Sequence, residues 1–292
     1  MKLTSILTGI SFLFIIPQAG YSQATKPILS ATEKDTVIGG KIVSRQYLSA
    51  AEKKKPYAKY FYMPMAKVNP AIVDSVSKGP IDASRALTFE HLNDLLKPGY
   101  LASEIGYCVL PDGTGYVSSI IKMPGVTSEM FDWWFTWHQL DPLRYKIWDH
   151  HVHYDVYVND TAKKKLLSKN IPVHEKNWDI THHANEDIGM GAMEIPINFV
   201  SPKEFGFDMS IFPSPADGTA VCAVGGSKMV HIARRIDGGI ELRTRFWFPA
   251  QANVPLALLK GLNYHALEEY SNLAKILPML YAEYGPRNGQ HK

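Results

Sequence analysis

Only two cysteines, Cys108 and Cys222, occur in 292 residues, which excludes a fold stapled by disulfides. Both lie in apolar, strand-like runs, so one bond and two buried free thiols are both open readings. Long hydrophobic runs are scarce as well. The one near the N-terminus, Ile6 to Ile16, is about half the ~20 residues of a membrane crossing. Nothing later is as long or as apolar, so stable membrane insertion is not expected. Charge of one sign is also lacking: 31 Lys and Arg against 28 Asp and Glu leave a formal net charge of +3. Lys53-Lys54-Lys55 and Lys163-Lys164-Lys165 are short runs of the kind that cover solvated faces, which argues against nucleic acid as a partner. No internal repeat or low-complexity segment is present, and this removes solenoids and propellers.

What the N-terminus does have is a short basic start at Met1-Lys2, the apolar run, a break at Pro17, and small residues at Gly20 and Ser22. That order predicts a signal peptide over residues 1–22, cut before Gln23, and an exported (periplasmic or secreted) protein. With no cysteine after the apolar run, a lipid anchor is not expected. Residues 23–100 form a small N-terminal region, polar at first and then interrupted by Pro56, Pro64, Pro70 and Pro80 among short strand-like pieces. Residues 101–292 form the main domain.

Within that domain, Thr88 can cap a helix running to Lys97, stopped by Pro98-Gly99. Strand candidates follow at Ser103–Leu110 and Gly115–Lys122, joined by the turn Pro111-Asp112-Gly113-Thr114. Thr127 opens a helix carrying Trp133, Trp134 and Trp137. Further β-prone runs are Ile195–Val200, Ala220–Val224, Lys228–Arg235 and Ile240–Phe248, the last two flanking an Asp237-Gly238 hairpin signal. The strongest periodicity closes the chain: Leu258, Leu262, His265, Glu269, Leu273, Ile276 and Leu280 fall on one face of a long helix. Strands followed by one long helix predict an α+β fold, with an antiparallel sheet curling around that helix.

The chemistry is concentrated on the same face. His265 and Glu269 are four residues apart, so they stack one above the other among leucines. A buried glutamate survives only if paired or bound to a metal, and a His/Glu pair at this spacing is a two-ligand clip. A helix edge where Glu269 reaches water or an arginine is the alternative. Further ligands are in supply, for the chain has 11 histidines. They include His138, the group His150, His151 and His153, and the pair His182 and His183 shortly before Glu186. Imidazole and carboxylate suit zinc, with iron or manganese also open. His138 fits an aromatic cluster with Trp134 as well as it fits a metal, and a lone strand histidine such as His231 is more often structural.

Several segments taken together resemble the zinc-dependent hydrolases of 2,4-diacetylphloroglucinol and phloretin. They are Asp132-Trp133-Trp134-Phe135-Thr136-Trp137-His138, Arg144-Tyr145-Lys146-Ile147-Trp148 continuing to His153, and Glu186-Asp187-Ile188-Gly189. After these come His231 with Gly238 to Trp247, and finally His265-x-x-x-Glu269. The resemblance implies a helix-grip (Bet v 1-like) domain: a curved antiparallel sheet around a long C-terminal helix, enclosing a deep cavity, with a smaller N-terminal region. It implies a zinc ion held by His153, Glu186, His265 and Glu269, with His138, His150 and His151 competing for the first place. Tyr145 and His231 match positions that bind and turn over a phenolic ketone. Phe246 stands where a second phenol-binding tyrosine would be, which puts the substrate in question more than the metal. The implied reaction hydrolyses the C–C bond between a polyphenolic ring and an acyl carbonyl. A metal-dependent esterase or lyase and a carrier of an apolar ligand are the competing readings, and homo-oligomerisation is left open.

Overall fold

The computed structural model describes residues 36–38, 41–43 and 47–286, so the expected signal peptide lies outside the described residues. The N-terminal region is not the series of strand-like pieces its composition suggests. A two-stranded antiparallel ribbon, β1 (Thr36–Ile38) and β2 (Lys41–Val43), is followed by helices α1 (Ala58–Phe61) and α2 (Pro70–Ser77). Pro70 sits at the first helical position of α2, where its missing N–H costs nothing, and Asn69 caps it. The helix expected from Thr88 is a 3₁₀ segment, Phe89–Leu96, kinked at His91.

Eight antiparallel strands then build one sheet. In chain order they are β3 (Gly106–Val109), β4 (Gly115–Pro124), β5 (His153–Tyr157), β6 (Ile180–Glu186), β7 (Met193–Val200), β8 (Gly218–Val224), β9 (Lys228–Ile236) and β10 (Gly239–Phe248). Their spatial order is β3-β4-β10-β9-β8-β7-β6-β5. Between β4 and β5 the chain forms α3 (Ser128–Trp137) and α4 (Pro142–Lys146), with α5 (Asp160–Leu167) before β6 and α6 (Pro202–Phe205) before β8. Thr127 caps α3 by accepting from the Met130 amide, as its sequence position suggests. The closing helix α7 (Leu256–Tyr284) has 29 residues, and the curved sheet wraps it. The protein is thus an α+β fold of the helix-grip kind.

Strand alternation divides the interior in two. Ile240, Leu242 and Phe246 of β10 point towards α7, where Leu262, Leu273, Ile276 and Leu280 meet them. Trp247 points to the opposite face, with Tyr116, Val230, Ile232 and both free thiols, Cys108 and Cys222. Leu92 and Leu95 of the 3₁₀ segment cover that outer face. Arg243 and Arg245 share it and are fully buried. Glu104 accepts from Arg243 Nη2 on Oε1 at 2.7 Å and from Arg243 Nε on Oε2 at 3.2 Å, and Arg245 Nη2 also donates to Oε2. Burial opposes the Glu104 charge, but the two guanidiniums outweigh it and hold the carboxyl below its usual range. Glu104→Ala is therefore expected to cost about 3–5 kcal/mol, because it strands two buried cations. A urea titration reads this directly, and a loss under ~1 kcal/mol would show that the arginines find other acceptors.

Candidate active site

Three elements converge at the far edge of the sheet. His153 begins β5, Glu186 ends β6 directly opposite it in register, and α7 presents His265 and Glu269. The approach of α7 is fixed by close packing. Gly189, just past β6, lies against Gly261 of the helix, where a Cβ on Gly261 would meet the Ile188 carbonyl oxygen at 2.6 Å. Asp187 Oδ1 holds this loop by accepting from the Gly189 and Gly191 amides at 2.7 and 2.8 Å. On the other side, Trp148 Nε1 donates to the Glu269 carbonyl at 3.0 Å, and Asn272 Nδ2 donates to the Trp148 carbonyl at 2.8 Å.

Four ligand atoms result. His153 Nε2 is 3.3 Å from Glu186 Oε2 and 3.6 Å from Glu269 Oε2, and His265 Nε2 is 3.5 and 3.7 Å from the same two oxygens. Atoms about 2.0–2.2 Å from a tetrahedral zinc would stand roughly 3.3–3.6 Å apart, so the spacing and the donor set both suit that ion. The tautomer also suits it. His153 Nδ1 faces the Tyr145 carbonyl at 3.2 Å; a carbonyl can only accept, so the proton sits on Nδ1 and Nε2 keeps its lone pair. Asp149, fully buried, brings a carboxylate oxygen within 4.8 Å of ligand atoms of His153 and His265. Asp149 is thus a further candidate ligand beside the four.

Buried charge is concentrated here, and burial raises the Glu269 carboxyl well above its usual range. Burial works against a protonated His265, yet Glu269 and Glu186 overcome it and push its pKa up to about 10. The hydroxyl of Tyr145 donates to Glu186 Oε2, and its ring stacks on His153 at 4.0 Å. Burial first and the Glu186 charge second keep this phenol protonated, so Tyr145 is a donor here.

The cluster forms one wall of a cavity of about 260 Å³ between α7 and the inner face of β6–β10. A packed aromatic cluster lines the cavity: Phe135, His231, Tyr270, Trp148, Tyr145, His182 and Phe199 touch in series, and Phe135 also packs against Trp148. Their centroid separations run from 4.9 to 6.2 Å. His231 Nδ1 is bonded to Thr244 Oγ1 at 2.9 Å, leaving Nε2 for the cavity, and Phe246 stands beside it. His138 does not reach the four-ligand cluster. Its Nδ1 donates to the Trp134 carbonyl at 2.8 Å, and its ring stacks between Trp134 and Tyr145. His150 packs on Phe61, and His151 pairs with Glu268 at 2.9 Å. Sequence reasoning passed over His182 and Tyr270 as wall residues of the cavity.

Burial pushes His231 down to about 3, against an ordinary value of 6.5. It is neutral when folded and protonated when unfolded below pH ~6.5, so the unfolded state binds the extra proton. Stability contributed by this group is intact above that pH and is lost as pH falls towards ~3, by up to about 1.4 kcal/mol per unit. Urea titrations between pH 6 and 4 should therefore give a shallower acid slope for His231→Leu by about that amount; parallel slopes would mean that His231 titrates normally.

Residues 87–282 match the family model of the DAPG hydrolase PhiG domain. The chain belongs to the DAPG hydrolase family. Among relatives of this family, a phloretin hydrolase from Eubacterium ramulus is 34% identical, over 80% of this chain and 91% of its own length. A 2,4-diacetylphloroglucinol hydrolase from a Pseudomonas species is 31% identical, over 81% of this chain and 90% of its own length. Another, from Pseudomonas protegens, is also 31% identical, over 81% and 87%. The DAPG hydrolase match takes in every sequence-predicted site residue, from Tyr145 to Glu269.

Proposed function

We propose that this chain is an exported zinc-dependent hydrolase cleaving the bond between a polyphenolic ring carbon and its acyl carbonyl, with acylphloroglucinols as substrates. The observation that carries the reading is the two-His, two-Glu cluster set into the wall of an aromatic cavity large enough for one small ring compound. The names of the relatives support the same substrate class. His153, Glu186, His265 and Glu269 are the proposed ligands. A zinc ion held there supplies Lewis-acid polarisation of an oxygen and acidifies water.

The rest falls to the chain's own groups. Hydrolysis adds water across the C–C bond: the acyl carbon leaves as a carboxylic acid, and the bonding pair stays on the ring carbon, which takes a proton. A ring with several hydroxyls tolerates that pair by tautomerising to a ketone. Tyr145, a neutral phenol, donates to Glu186 and retains lone pairs to accept from a ring hydroxyl. That donation would make Glu186 a weaker ligand for a bound ion. His231 carries no proton at rest, so what it delivers to the ring carbon must first come from a substrate hydroxyl or water. Export is supported by the order of residues in the first 22 positions alone. Elemental analysis of purified protein, with a panel of acylphloroglucinols scored for carboxylic acid release, tests the reading. Metal-free protein with unchanged turnover, or stoichiometric zinc without acid release from any member, would refute it.

A further inference from the structure

Beside the four-ligand cluster, Asp149, His151 and Glu268 form a second group of ligand atoms that the proposed reaction does not use. Each brings one such atom within 4.8 Å of the others. His151 stands two residues before His153 and Glu268 one before Glu269, yet neither lines the first cavity. Both open instead onto a second one of about 490 Å³, walled by residues from Met65 to Asp74. Their side chains keep 14% and 16% of their surface exposed, so an ion can reach them from solvent. His151 Nδ1 is 2.9 Å from Glu268 Oε1 and 4.0 Å from Asp149 Oδ1. Around an octahedral ion with ligands at about 2.0–2.1 Å, adjacent ligand atoms stand roughly 2.9 Å apart and opposite ones roughly 4.1 Å. Both separations suit that geometry.

The hydrogen bonds of the two carboxylates are incomplete. Asp149 is fully buried, and its Oδ1 accepts from the His151 amide at 3.0 Å. Its Oδ2 has no hydrogen-bond partner among the described residues, and neither has Glu268 Oε2. Native proteins leave few buried acceptors unmet, and two carboxylates this close repel unless positive charge stands with them. A protonated His151 would balance one of the two negative charges and leave the other. Asp74 and Lys67, on the same cavity, offset each other in charge. The donor set narrows the ion: two carboxylates and one imidazole, with water completing the shell from the cavity side, suit an octahedral divalent cation such as Mn²⁺.

We propose that Asp149, His151 and Glu268 hold a second divalent cation, of the oxygen-preferring octahedral class, joined to the four-ligand cluster through Asp149. Lys275 Nζ donates to the Pro64 carbonyl at 2.7 Å, and Asn272 Oδ1 accepts from the Ala66 amide at 3.1 Å. The ion therefore lies where the N-terminal region docks on α7, and it braces that contact. To test this, protein already loaded with zinc is titrated with Mn²⁺, and the free ion is counted by its paramagnetic resonance signal. Manganese does not displace zinc from a shared ligand set, so the titration reads the second site alone. One further ion per chain should bind, and Tm should rise with it, because the ion binds the folded chain. His151→Ala and Glu268→Gln should each weaken Mn²⁺ by about tenfold or more and remove the rise in Tm, with zinc content unchanged. Glu268→Asp should keep part of the binding. Zinc-loaded protein that takes up no Mn²⁺, or uptake that survives both substitutions, overturns the proposal. So does loss of zinc along with Mn²⁺ in either variant, which would assign the residue to the first cluster. Protein that binds no zinc, yet binds Mn²⁺ in a manner lost in Glu268→Gln, would uphold the second site and sink the zinc reading instead.

Discussion

His265→Ala and Glu269→Ala are each expected to strip the protein of most of its metal and to abolish hydrolysis. Each removes one of four ligand atoms that now stand 3.3–3.7 Å from their neighbours. Removing an outer partner of a ligand commonly lowers affinity by about 10–100-fold, and loss of a ligand itself should exceed that. His153→Ala belongs with them, because its Nε2 faces both carboxylates. His138→Ala should behave differently: its ring fills an aromatic cluster, so Tm should fall while most of the zinc remains. Zinc per chain and melting temperature, measured on all four variants, separate the two behaviours. An emptied His138→Ala protein beside a metal-replete His153→Ala protein would move the site towards α3.

His231→Ala should keep its zinc and lose turnover by about 10²–10⁴-fold, the usual worth of a proton-transfer group. His231 is bonded through Nδ1 to Thr244 and makes no contact with the four-ligand cluster, so its removal leaves the ligand atoms where they are. The loss should fall mainly on kcat if His231 moves a proton, and mainly on KM if it only positions a hydroxyl. Thr244→Val provides the graded control: it frees the ring to rotate without removing it and should retain part of the activity. Unchanged turnover in His231→Ala would take the histidine out of the chemistry.

The part of the fold legible in sequence was the part in which periodicity and burial agree. The face of α7 carrying Leu262, His265, Glu269, Leu273, Ile276 and Leu280 is buried as its spacing requires, with Leu258 half-buried at the cavity rim. Strands β4, β9 and β10 were legible because the Asp237-Gly238 turn and the apolar alternation mark them. Strands β5 and β6 were not, and they carry His153 and Glu186. On β6 the inward positions are Ile180, His182, Ala184 and Glu186, so the alternation that marks a strand is broken by the polar groups that line the site. The N-terminal region was misread for another reason: β-prone residues there sit in short helices that pack on α7 through contacts distant in sequence. The outer-face ion cluster was equally hidden, since nothing in Glu-Leu-Arg-Thr-Arg announces that Glu104 will neutralise both arginines.

The contact between Gly189 and Gly261 sets a gauge. A loop and a helix from distant parts of the chain touch backbone to backbone, with no side chain between them to compress or turn aside. Glu186 lies three residues before one glycine, and His265 lies four residues after the other. Their spacing is therefore dictated by the thickness of two peptide units. A single methyl at either position acts as a spacer wider than the ~0.5 Å within which a functional constellation must be held. The hydrophobic interior could absorb such a spacer and still fold, yet the four ligand atoms would no longer close on one point. In this protein the precision of the two-His, two-Glu cluster is stored in the two residues that have no side chain.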